Sequence, residues 1–491
     1  MATVAERLDV ITAAPRGPEV AAFLDYDGTV IAGFSASAFY RHRFRKLEIG
    51  PLEIAKTVLM AARGIESEQE FSEFLEVSLA SWRGKSEEAM TELGRSIFKH
   101  DTASRLHTEM WELIQAHRAM GHTIVLASSA TRFQVEPMAQ EIGADHMLCT
   151  ALEVVDGKIT GKTAGAPLWR QGKADAVLAL ASEHEFDMDS SFAYSNGTED
   201  VPFLSAVGNP VAVEPEDGLL AHAKKLGWPV LKCEDHGGTP GVLDIARTAG
   251  FYGSMATAFG AGIGLGLINR SRNTLLEITG GVGSDLGLAL AGVDVDVVKG
   301  TEHLWSARPC VFVFNHQSKL DPIVLMKLLR GGFTGVAKKE AANVPGFGQF
   351  FRLAGVAFVD RGNTKQAKNV LAPAVDKVRK ERLSLVIAPE GTRSATPRLG
   401  PFKKGPFHIA MQAEVPMVPI VMRNVGEVMW RGAQIIRPGR VEVAVLPPVD
   451  TSEWTVETIN DHVADVRGMF VDTLAHWPAR NRELPAPEGV S

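Results

Sequence analysis

The sequence predicts an α/β protein built from two domains, and three observations support this prediction. The chain has 491 residues, which is too long for one ordinary domain. Short apolar segments alternate with helix-like segments both before about residue 230 and after about residue 292, a pattern typical of strands connected by helices. A segment with glycine and proline, 233–245, separates the two halves and is the predicted linker.

Composition and charge exclude several classes of protein. The hydrophobic content of 45% and charged content of 22% suit a folded globular chain. A net charge of −7 without a long basic run argues against a general nucleic-acid binder. The three cysteines, Cys149, Cys233 and Cys310, lack metal-type spacing and suit a reducing compartment. The first residues show no basic start followed by an apolar core, so no secretory signal is expected.

The N-terminal half contains four segments that read as buried strands because they are short, apolar and β-branched or aromatic. They are 21–26, 122–129, 190–195 and 210–213. The long stretch between about 33 and 118 is mostly helical in pattern. It is therefore predicted to be a cap inserted into the α/β core.

The first predicted strand ends in "FLDYDGTV", which carries two carboxylates, Asp25 and Asp27. Residues two apart on a strand share a face, so both carboxylates can reach one site. Paired acids can bind Mg²⁺ or divide into a nucleophile and a general acid/base. The alternative is a D-x-D-G turn that merely ends the strand.

Further polar residues follow the later strands in order. Ser128 ends the second strand, Lys173 lies near a helix start, and Asn196 and Asp200 follow the third strand. Together with the acid pair, these groups would surround one phosphoryl group.

These motifs resemble the haloacid dehalogenase superfamily, and within it the phosphoserine-phosphatase-like branch (subfamily IB), over roughly residues 19–230. The resemblance implies a Rossmann-like core with a helical cap. It implies that Asp25 is the nucleophile that forms an aspartyl-phosphate, and that Asp27 protonates the leaving oxygen and then activates water. Ser128 and Lys173 would hold the phosphoryl oxygens.

The same resemblance implies Mg²⁺ bound by Asp25, by the carbonyl of Asp27 and by the loop at 196–200. The family usually has aspartate where this chain has Asn196, so one negative charge is lost at a site for a hard cation. Asp200 is the candidate for compensation. Two interpretations stay open: a weak phosphatase, or a domain that only binds a phosphorylated ligand.

The C-terminal half, from about 292 to 450, shows a second α/β pattern. Its predicted strands are 311–315, 355–360, 383–389 and 415–421, and its predicted helices are 323–330 and 364–383.

The segment "FNHQSKLD", 314–321, places a histidine and an aspartate five residues apart. His316 is predicted at a strand end, with Asp321 as the N-cap of the next helix and Pro322 as its first residue. The functional interpretation is a pair in which the carboxylate orients the imidazole, so that the other ring nitrogen can take a proton. The alternative is ordinary helix capping beside a structural histidine.

Basic residues and a Gly-Thr turn accompany this pair at or beside predicted strands. The basic residues are Lys338, Lys339, Arg361, Lys403 and Lys404, and the turn is Glu390, Gly391, Thr392 and Arg393. Cations grouped at strand ends suit an anionic head group such as phosphate. Taken singly, each of these charges is more often a solvated surface charge, and the turn is more often just a polar turn.

Four blocks follow one another in order: "NHQSKLD" (315–321), "GVAFVDRG" (355–362), "IAPEGTRS" (387–394) and "VPMVPI" (415–420). Together they resemble the 1-acylglycerol-3-phosphate acyltransferases, over about residues 250–450. The resemblance implies that His316 is the general base for the acceptor's free hydroxyl and that Asp321 orients and polarises it. The hydroxyl would attack the thioester of an acyl-CoA or acyl carrier protein directly, without an acyl-enzyme.

The resemblance also assigns the acceptor's phosphate to Arg361 and to the turn formed by Glu390, Gly391, Thr392 and Arg393, with help from Lys338 or Lys339. The strand "VPMVPI", 415–420, would line the acyl path. Ala388 stands where phenylalanine is common, which is expected to alter packing and not chemistry.

An uncharged segment, 251–268, precedes these blocks. As a helix of 18 residues it would reach about 27 Å, just short of a hydrocarbon core of about 30 Å. We expect it to dip into a membrane or lie at its surface; a buried core helix and a full span are the alternatives. The family often has such an element ahead of the histidine motif, which fits 251–291.

The leading hypothesis is a two-headed enzyme at the cytoplasmic face of a membrane, acting on lysophosphatidate and acyl-CoA without nucleic acid; the oligomeric state is left open. A second hypothesis makes the N-terminal domain a regulatory module for a phosphorylated ligand. A third makes the C-terminal half a tether, against which the intact His316–Asp321 pair argues. The predicted divisions are a phosphatase-like domain 1–232, a linker 233–250, a membrane-associated segment 251–291, an acyltransferase domain 292–450 and a C-terminal helix and tail 451–491.

Overall fold

The structure, a computed structural model, describes residues 2–46, 48–49, 67–233, 240–343, 347–359 and 364–478. For residues 68, 272, 273, 338, 347, 359 and 364–371 within these ranges, only the backbone is described. The chain divides into two compact units, 1–238 and 239–491, and each has its own large sheet. The predicted class, α/β with two domains, is confirmed.

The first unit is built on a six-stranded parallel sheet. The strands of this unit are β1 (Ala21–Leu24), β2 (Thr123–Thr131), β3 (His146–Thr150), β4 (Leu152–Val155), β5 (Lys158–Thr163), β6 (Phe192–Ser195), β7 (Asn209–Val213) and β8 (Val230–Leu231). The order across the large sheet is β3-β2-β1-β6-β7-β8, and β4 and β5 form a separate antiparallel hairpin.

The helices of the first unit begin and end at ordinary capping residues: Thr3 and Ser86 cap two N-termini with their side chains, and Gly121 and Gly143 end two helices in the left-handed region. The α-helices are α1 (Val4–Ala13), α2 (Ser35–Arg45), α3 (Glu68–Leu79), α4 (Glu87–His100), α5 (Thr108–Met120), α6 (Arg132–Ile142), α7 (Gln171–His184), α8 (Val201–Leu204) and α9 (Asp217–Leu226). Short 3₁₀ turns lie at Ala80–Trp82, Thr102–Arg105 and Thr198–Asp200.

Alternating residues of β1 bury side chains on both faces of the sheet. Ala22 and Leu24 join a core cluster with Met110 and Ile114 of α5. Phe23 joins a second cluster on the other face, which includes Val177 of α7. The sheet is therefore covered on both sides, as parallel sheets usually are.

The cap has its own small core, which holds α2, α3 and α4 together with the β4–β5 hairpin. Phe39, Leu79, Trp82, Ile97 and Ile159 are buried there. The hairpin lies outside the predicted interval of 33–118, and α5, which lies within that interval, packs against the main sheet instead.

The second unit is built on a seven-stranded mixed sheet. Its strands are β9 (Val293–Lys299), β10 (Val311–Phe314), β11 (Phe333–Lys338), β12 (Ala357–Val359), β13 (Ser384–Ile387), β14 (Met417–Met422) and β15 (Gly439–Val445). The order is β12-β11-β13-β10-β14-β15-β9, and only the β14–β15 pairing among these described strands is antiparallel. The expected strands at 311–315, 355–360, 383–389 and 415–421 are present in shorter form, whereas β9, β11 and β15 were not predicted.

Helices cover both faces of this sheet and precede it. They are α10 (Val242–Ile268), α11 (Arg272–Glu277), α12 (Gly283–Ala291), α13 (His303–Ser306), α14 (Asp321–Leu329), α15 (Phe347–Leu353), α16 (Thr364–Lys380), α17 (Gly405–Ala413), α18 (Val425–Val428) and α19 (Ile459–Ala475), with a π-helical turn at Ile278–Val282 and a 3₁₀ turn at Lys339–Asn343. Along β10, Phe312 packs towards Phe251 and Val324, and Val313 packs towards Phe407 on the other face.

Helix α10 begins at Val242, inside the segment predicted as a linker at 233–250. Its 27 residues reach about 40 Å, and by length and composition it could cross a membrane, with 33% of its most apolar window buried. Glycines let α12 approach it closely: a Cβ on Gly283 would lie 3.0 Å from Cβ of Ala258, and a Cβ on Gly287 would lie 3.0 Å from the ring of Phe251.

The outer face of this helical region is apolar and exposed. Its exposed large side chains include Val242, Leu243, Ile245, Tyr252, Ile263, Leu265, Leu267, Ile268, Val282, Leu286 and Leu290. Exposed apolar side chains that are contiguous mark a surface for a membrane or a partner, so the expected membrane association of 251–291 stays a prediction.

Candidate active sites

In the first unit, Asp25 and Lys173 meet at the edge where the parallel strands end. Asp25 follows β1, and its backbone N–H donates to the carbonyl of Tyr194 on β6 at 2.9 Å. Lys173 lies in the first turn of α7, and its Nζ lies 2.6 Å from Oδ1 of Asp25 and 2.6 Å from Oδ2 of Asp200. All three residues are buried, so their charges act on each other with little screening.

Burial and charge shift these groups in a coupled way. Burial raises the pKa of the Asp25 carboxyl, and the Lys173 ammonium only partly offsets that effect. For Lys173, burial alone would lower the pKa, but the carboxylates of Asp200 and Asp25 outweigh it and the pKa is raised. The lysine is therefore a fixed positive charge next to the expected nucleophile.

Thr29 and Asn196 complete the floor of this site. The Thr29 hydroxyl lies 3.0 Å from Oδ2 of Asp25 and 3.3 Å from Oδ1 of Asn196, so these two oxygens converge on the same side. Gly28 has φ +78°, and a Cβ there would lie 2.2 Å from Nδ2 of Asn196. The glycine thus makes room for the amide.

Asp27 faces the start of the cap instead. Its Oδ1 accepts from the backbone N–H of Ser35 at 2.6 Å, and its Oδ2 accepts from the Ser35 hydroxyl at 3.0 Å. Ser35 is the first residue of α2, so the carboxylate occupies a helix N-terminus, where negative charge is favourable. Burial nevertheless raises the pKa of Asp27 to about 7, near the value that suits a general acid/base.

Ser128 lies within β2, two residues beyond the point where Leu126 pairs with Leu24, and it pairs with Cys149 of β3. The residue is buried, and β2 continues past it to Thr131. Its hydroxyl accepts from the N–H of Ala130 at 3.1 Å, and among the described hydrogen bonds none joins it to Asp25 or Lys173. Its phosphoryl-binding role stays a prediction.

One acidic residue of this site was not singled out from the sequence. Glu199 folds its carboxylate back over Gly197, where a Cβ would lie 2.6 Å from it. Burial raises the pKa of Glu199 to about 7, with added repulsion from Asp200 and Asp25. Its position inside the 196–200 loop was the sequence feature that could have identified Glu199.

The donor set fits the Mg²⁺ that the resemblance implies. Asp25, Asn196 and Glu199 offer only oxygen, the donor type that Mg²⁺ prefers, and the carboxylates outnumber the ammonium of Lys173. Oδ2 of Asp200 already accepts from Lys173 and from the Ser195 hydroxyl, both at 2.6 Å. The metal-ligand role expected of Asp200 stays a prediction, and its contacts favour a role in orienting Lys173.

In the second unit, His316 follows β10, and its Nδ1 lies 2.6 Å from Oδ2 of Asp321. The same oxygen accepts from the backbone N–H groups of Gln317 at 2.8 Å and Ser318 at 3.0 Å. Asp321 is fully buried, and within the part of the chain that the structure describes its Oδ1 has no hydrogen-bond donor. A carboxylate held this tightly fixes the orientation of the imidazole and leaves Nε2 as the ring nitrogen that faces away from it.

The expectation that Asp321 caps the following helix is wrong. Leu320 occupies the N-cap position of α14, Asp321 is the first helical residue, and no side chain caps this N-terminus. The carboxylate instead turns back onto the loop that carries His316, because that loop offers two N–H groups and the imidazole.

Glu390 connects this loop to the Gly-Thr turn. Its Oε1 accepts from the N–H of His316 at 2.7 Å, and its Oε2 accepts from the Ser394 hydroxyl and the N–H of Gly400, each at 2.8 Å. The N–H of Ser394 in turn donates to the carbonyl of His316 at 2.8 Å. Glu390 therefore positions the histidine, a role that differs from the phosphate contact expected of it.

The other three residues of the turn, Gly391, Thr392 and Arg393, differ in exposure and in the groups they contact. Gly391 has φ +70°, and a Cβ there would lie 2.9 Å from Nζ of Lys403. Thr392 is exposed, and Arg393 is half-buried with its Nη1 3.1 Å from the carbonyl of Arg431. Two further basic residues, Arg431 and Lys319, lie near Arg393 and were not singled out from the sequence. The only sequence signal was that Lys319 is a basic residue inside the "NHQSKLD" block.

The remaining expected basic residues are placed less fully. Lys338 ends β11, where its backbone pairs with Val359, and its side chain lies outside the described residues. Lys339 is exposed at the start of a 3₁₀ turn, and Arg361 lies outside the described residues. Lys403 and Lys404 are exposed.

Comparisons with known proteins support both halves of the prediction. Residues 297–423 match the family described as acyltransferase, and residues 22–205 match the family described as haloacid dehalogenase-like hydrolase. A 1-acyl-sn-glycerol-3-phosphate acyltransferase from Limnanthes alba is 35% identical over 213 residues, which cover 43% of this chain and 74% of that protein. The Saccharomyces cerevisiae protein of the same name is 36% identical over 41% of this chain and 67% of its own length.

Among solved structures, the 1-acyl-sn-glycerophosphate acyltransferase PlsC from Thermotoga maritima is 23% identical, with 48% of this chain and 98% of that chain covered and a TM-score of 0.41. A probable phosphoserine phosphatase from Vibrio cholerae is 21% identical, with 43% and 61% covered and a TM-score of 0.33. Scores this low carry no weight for the chemistry.

Proposed function

Because the chain belongs to the 1-acyl-sn-glycerol-3-phosphate acyltransferase family, we propose that its second unit acylates the free hydroxyl of 1-acylglycerol-3-phosphate and makes phosphatidate. The observation that carries this proposal is the His316–Asp321 pair, in which a buried carboxylate accepts the imidazole and two backbone N–H groups on one oxygen. Such a pair presents one ring nitrogen, Nε2, as a base.

In the proposed reaction, Nε2 of His316 takes the proton from the acceptor hydroxyl as its oxygen attacks the thioester carbonyl of an acyl-CoA or acyl carrier protein. Asp321 stabilises the imidazolium that forms. The carbon–sulfur bond then breaks, and the imidazolium returns its proton to the leaving thiolate. No acyl-enzyme is formed, because the base acts on the acceptor and not on a protein nucleophile.

The acceptor's phosphate is proposed to bind Arg361 and the turn that contains Gly391, Thr392 and Arg393, with Lys338 or Lys339 nearby. Half-burial of Arg393 beside the histidine loop supports its part, since a guanidinium matches phosphate oxygens in a fork. Glu390 is proposed to act indirectly, by holding His316.

For the first unit we propose a phosphomonoester hydrolase. Asp25 attacks phosphorus while protonated Asp27 gives its proton to the leaving oxygen, and ionised Asp27 then takes a proton from the water that hydrolyses the aspartyl-phosphate. Lys173 offsets the negative charge at Asp25. Mg²⁺, held by Asp25, the Asp27 carbonyl, Asn196 and the loop that includes Asp200, would supply a positive charge that neutralises the phosphoryl oxygens.

A second candidate function for this unit is binding of a phosphorylated ligand without turnover. The observation in its favour is Asn196, which contributes an amide oxygen where a carboxylate would bind a hard cation more tightly. Mg²⁺-dependent phosphate release that is lost in Asp25→Asn would exclude this alternative.

Both lipid substrates suggest work at a membrane surface, which we propose to be the cytoplasmic face. The exposed apolar side chains of α10 and α12 support this location. The hypothesis that the second unit only tethers the protein conflicts with a histidine that a buried carboxylate holds in position.

The experiment that tests these proposals uses purified full-length protein in detergent with lysophosphatidate, an acyl-CoA and Mg²⁺. Lipid products and free phosphate are followed over time. Phosphatidate without phosphate means an acyltransferase whose first unit does not hydrolyse these lipids. Diacylglycerol with phosphate, arrested at phosphatidate by Asp25→Asn, means that both units act in sequence. No new lipid from either acyl donor would overturn the acyltransferase proposal.

A further inference from the structure

Three basic side chains, Lys319, Arg393 and Arg431, gather beside the His316 loop and are named here the cationic cluster. Arg393 donates from Nη1 to the carbonyl of Arg431 at 3.1 Å, and the guanidinium of Arg431 donates to the carbonyl of Arg393. The Lys319 Nζ donates to the carbonyl of Ala433 at 3.3 Å. Two arginines are thus held side by side by reciprocal backbone contacts, with a lysine next to them.

The segment that carries Arg431 accepts hydrogen bonds from three consecutive residues of the loop that follows His316. The Gln317 amide donates to the carbonyl of Arg423 at 3.2 Å. The Ser318 hydroxyl donates to the carbonyl of Met429 at 2.6 Å, and this contact is buried. With the Lys319 contact, three consecutive residues after His316 bind successive points along 423–433. This segment is therefore a wall of the acyltransferase site, although none of the sequence motifs includes it.

The cationic cluster carries more charge than the nearby carboxylate of Asp321, which also holds His316: burial lowers the pKa of Arg393, and that carboxylate only partly offsets the effect. Within the described part of the chain, none of the three forms a salt bridge, whereas Arg440 in the same unit pairs with Asp296. Burial, together with repulsion from Arg393, lowers the pKa of both Lys319 and Arg431. Cations that repel each other in a partly desolvated place are stabilised by an anion bound between them.

We propose that Arg431 is a further phosphate-binding residue, which with Arg393 and Lys319 holds the phosphate of the acyl acceptor beside His316. This inference rests on the proposed acyltransferase function and adds to it a residue outside the sequence motifs. A phosphate held by two guanidiniums and an ammonium would orient the acceptor's glycerol so that the free hydroxyl meets the base.

The test compares Arg431→Gln with two variants. Arg431→Lys keeps the charge, and Arg440→Gln removes a paired surface arginine from the same unit. The backbone carbonyl of residue 431 can still accept from Arg393 in every variant, so the segment keeps one of its contacts. KM and kcat are measured with lysophosphatidate and acyl-CoA varied in turn, and calorimetry measures the binding of glycerol 3-phosphate to each protein.

For Arg431→Gln we expect KM for lysophosphatidate to rise about 10- to 100-fold, the effect of losing one charge-assisted contact. The KM for acyl-CoA stays within about threefold of wild type, since acyl-CoA does not use that contact, and kcat falls by less than the KM for lysophosphatidate rises. Arg431→Lys recovers part of the loss, and Arg440→Gln behaves as wild type. An unchanged KM for lysophosphatidate, or an equal rise for both substrates, would overturn the proposal.

The binding measurement separates this inference from the proposed function. If wild type transfers no acyl group but binds glycerol 3-phosphate, and Arg431→Gln weakens that binding about 10-fold or more, the anion site stands and the acyltransferase proposal falls. If both proteins bind glycerol 3-phosphate equally, or neither binds it, the cationic cluster is not the phosphate site.

Discussion

The backbone N–H of His316 donates a 2.7 Å hydrogen bond to Oε1 of Glu390, so the expected base is held by a carboxylate 74 residues further along the chain. The two residues follow β10 and β13, which are parallel neighbours in the sheet. The same carboxylate uses its other oxygen to order the turn up to Gly400. Two sequence blocks that look independent are therefore one structural device.

Glu390→Gln tests that device. A glutamine can accept from His316 through its carbonyl oxygen, but its NH₂ cannot accept from Ser394 and Gly400. We expect acyl transfer to fall about 10- to 100-fold, because a loss of one to two charge-assisted hydrogen bonds costs about 1.5–3 kcal/mol. Activity and Tm are compared with Glu457→Gln, which changes an exposed glutamate. Equal activity in both variants would contradict a positioning role.

The His316–Asp321 pair makes a graded prediction. His316→Ala removes the base and should lower kcat by about 10²- to 10⁴-fold, with Tm within a few degrees of wild type because the ring is partly exposed. Asp321→Asn leaves the histidine but exchanges an acceptor for an amide, so a fall of similar order is expected. Product formation by lipid chromatography measures both. Full activity in His316→Ala would exclude general-base catalysis by this residue.

Asp27 makes a prediction about pH and stability. Its folded pKa is raised to about 7, whereas an unfolded aspartate titrates near about 3.9. Between these two pH values the Asp27 carboxyl is protonated in the folded state and ionised in the unfolded state. The free energy of unfolding therefore falls as pH rises. Asp27→Asn cannot ionise and should exceed wild type in Tm by a few degrees at pH 8 and by less at pH 5, and the difference should vanish only below about pH 3.9, where the unfolded carboxyl is protonated as well.

The measurement for Asp27 is thermal unfolding in the presence of a chelator, with Asp189→Asn, an exposed aspartate, as the matched control. The Asp27→Asn variant should also release no phosphate if Asp27 is the general acid. If the difference in Tm between Asp27→Asn and wild type is the same at both pH values, the pKa of Asp27 is not raised in the folded protein.

Asn196→Asp restores a carboxylate beside Asp25. The added charge should raise affinity for Mg²⁺ about 10-fold or more. The readout is the Tm of the first unit across a Mg²⁺ titration, since a ligand that binds only the folded state raises Tm. Asp25→Asn is the opposing variant and should abolish the rise. A Mg²⁺ midpoint that is the same in wild type and Asn196→Asp would place the cation elsewhere.

The exposed end of α10 makes a prediction about membranes. Leu267 is 73% exposed and Ile268 is 76% exposed. Replacing both with glutamate should reduce binding to phosphatidylglycerol-containing vesicles about 10-fold or more, because buried methylenes contribute about 0.8 kcal/mol each. The control is Leu226→Glu on α9 of the first unit, which is 52% exposed. Vesicle flotation that is equal for all three proteins would exclude this face as the membrane contact.

Much of both sites follows from strand ends. Asp25 and His316 each follow a short, fully buried strand, and the ends of parallel strands meet at one edge of a sheet, so their partners could be sought after other strands. Asn196 and Glu390 were found in this way, and Lys173 was found near a helix start. The pairing of His316 with Asp321 was predicted, whereas the contacts of Asp27 with Ser35 and of Glu390 with His316 were not, because a side chain's direction depends on the local turn.

Other features lacked a local signal. Asp321 before Pro322 has the sequence of an N-cap. Its carboxylate instead accepts from the backbone N–H groups of Gln317 and Ser318. β9, with valine and aspartate alternating, was readable as an edge strand, whereas its partner β15 lies about 140 residues later and gives no hint of the pairing. Arg431 stands in no motif, and only the tertiary contacts of 423–433 bring it to the site.

The hydrogen bonds between Asp27 and Ser35 join the acid of the first unit to the first turn of its cap. A carboxylate that loses its donors becomes harder to ionise, so any movement of α2 away from the core changes how tightly Asp27 keeps its proton. If substrate entry displaces α2, Asp27 keeps its proton until the helix returns, and the return of the Ser35 donors favours the ionised form that must activate water. The first turn of α2 thus links the position of the cap to the protonation of the acid.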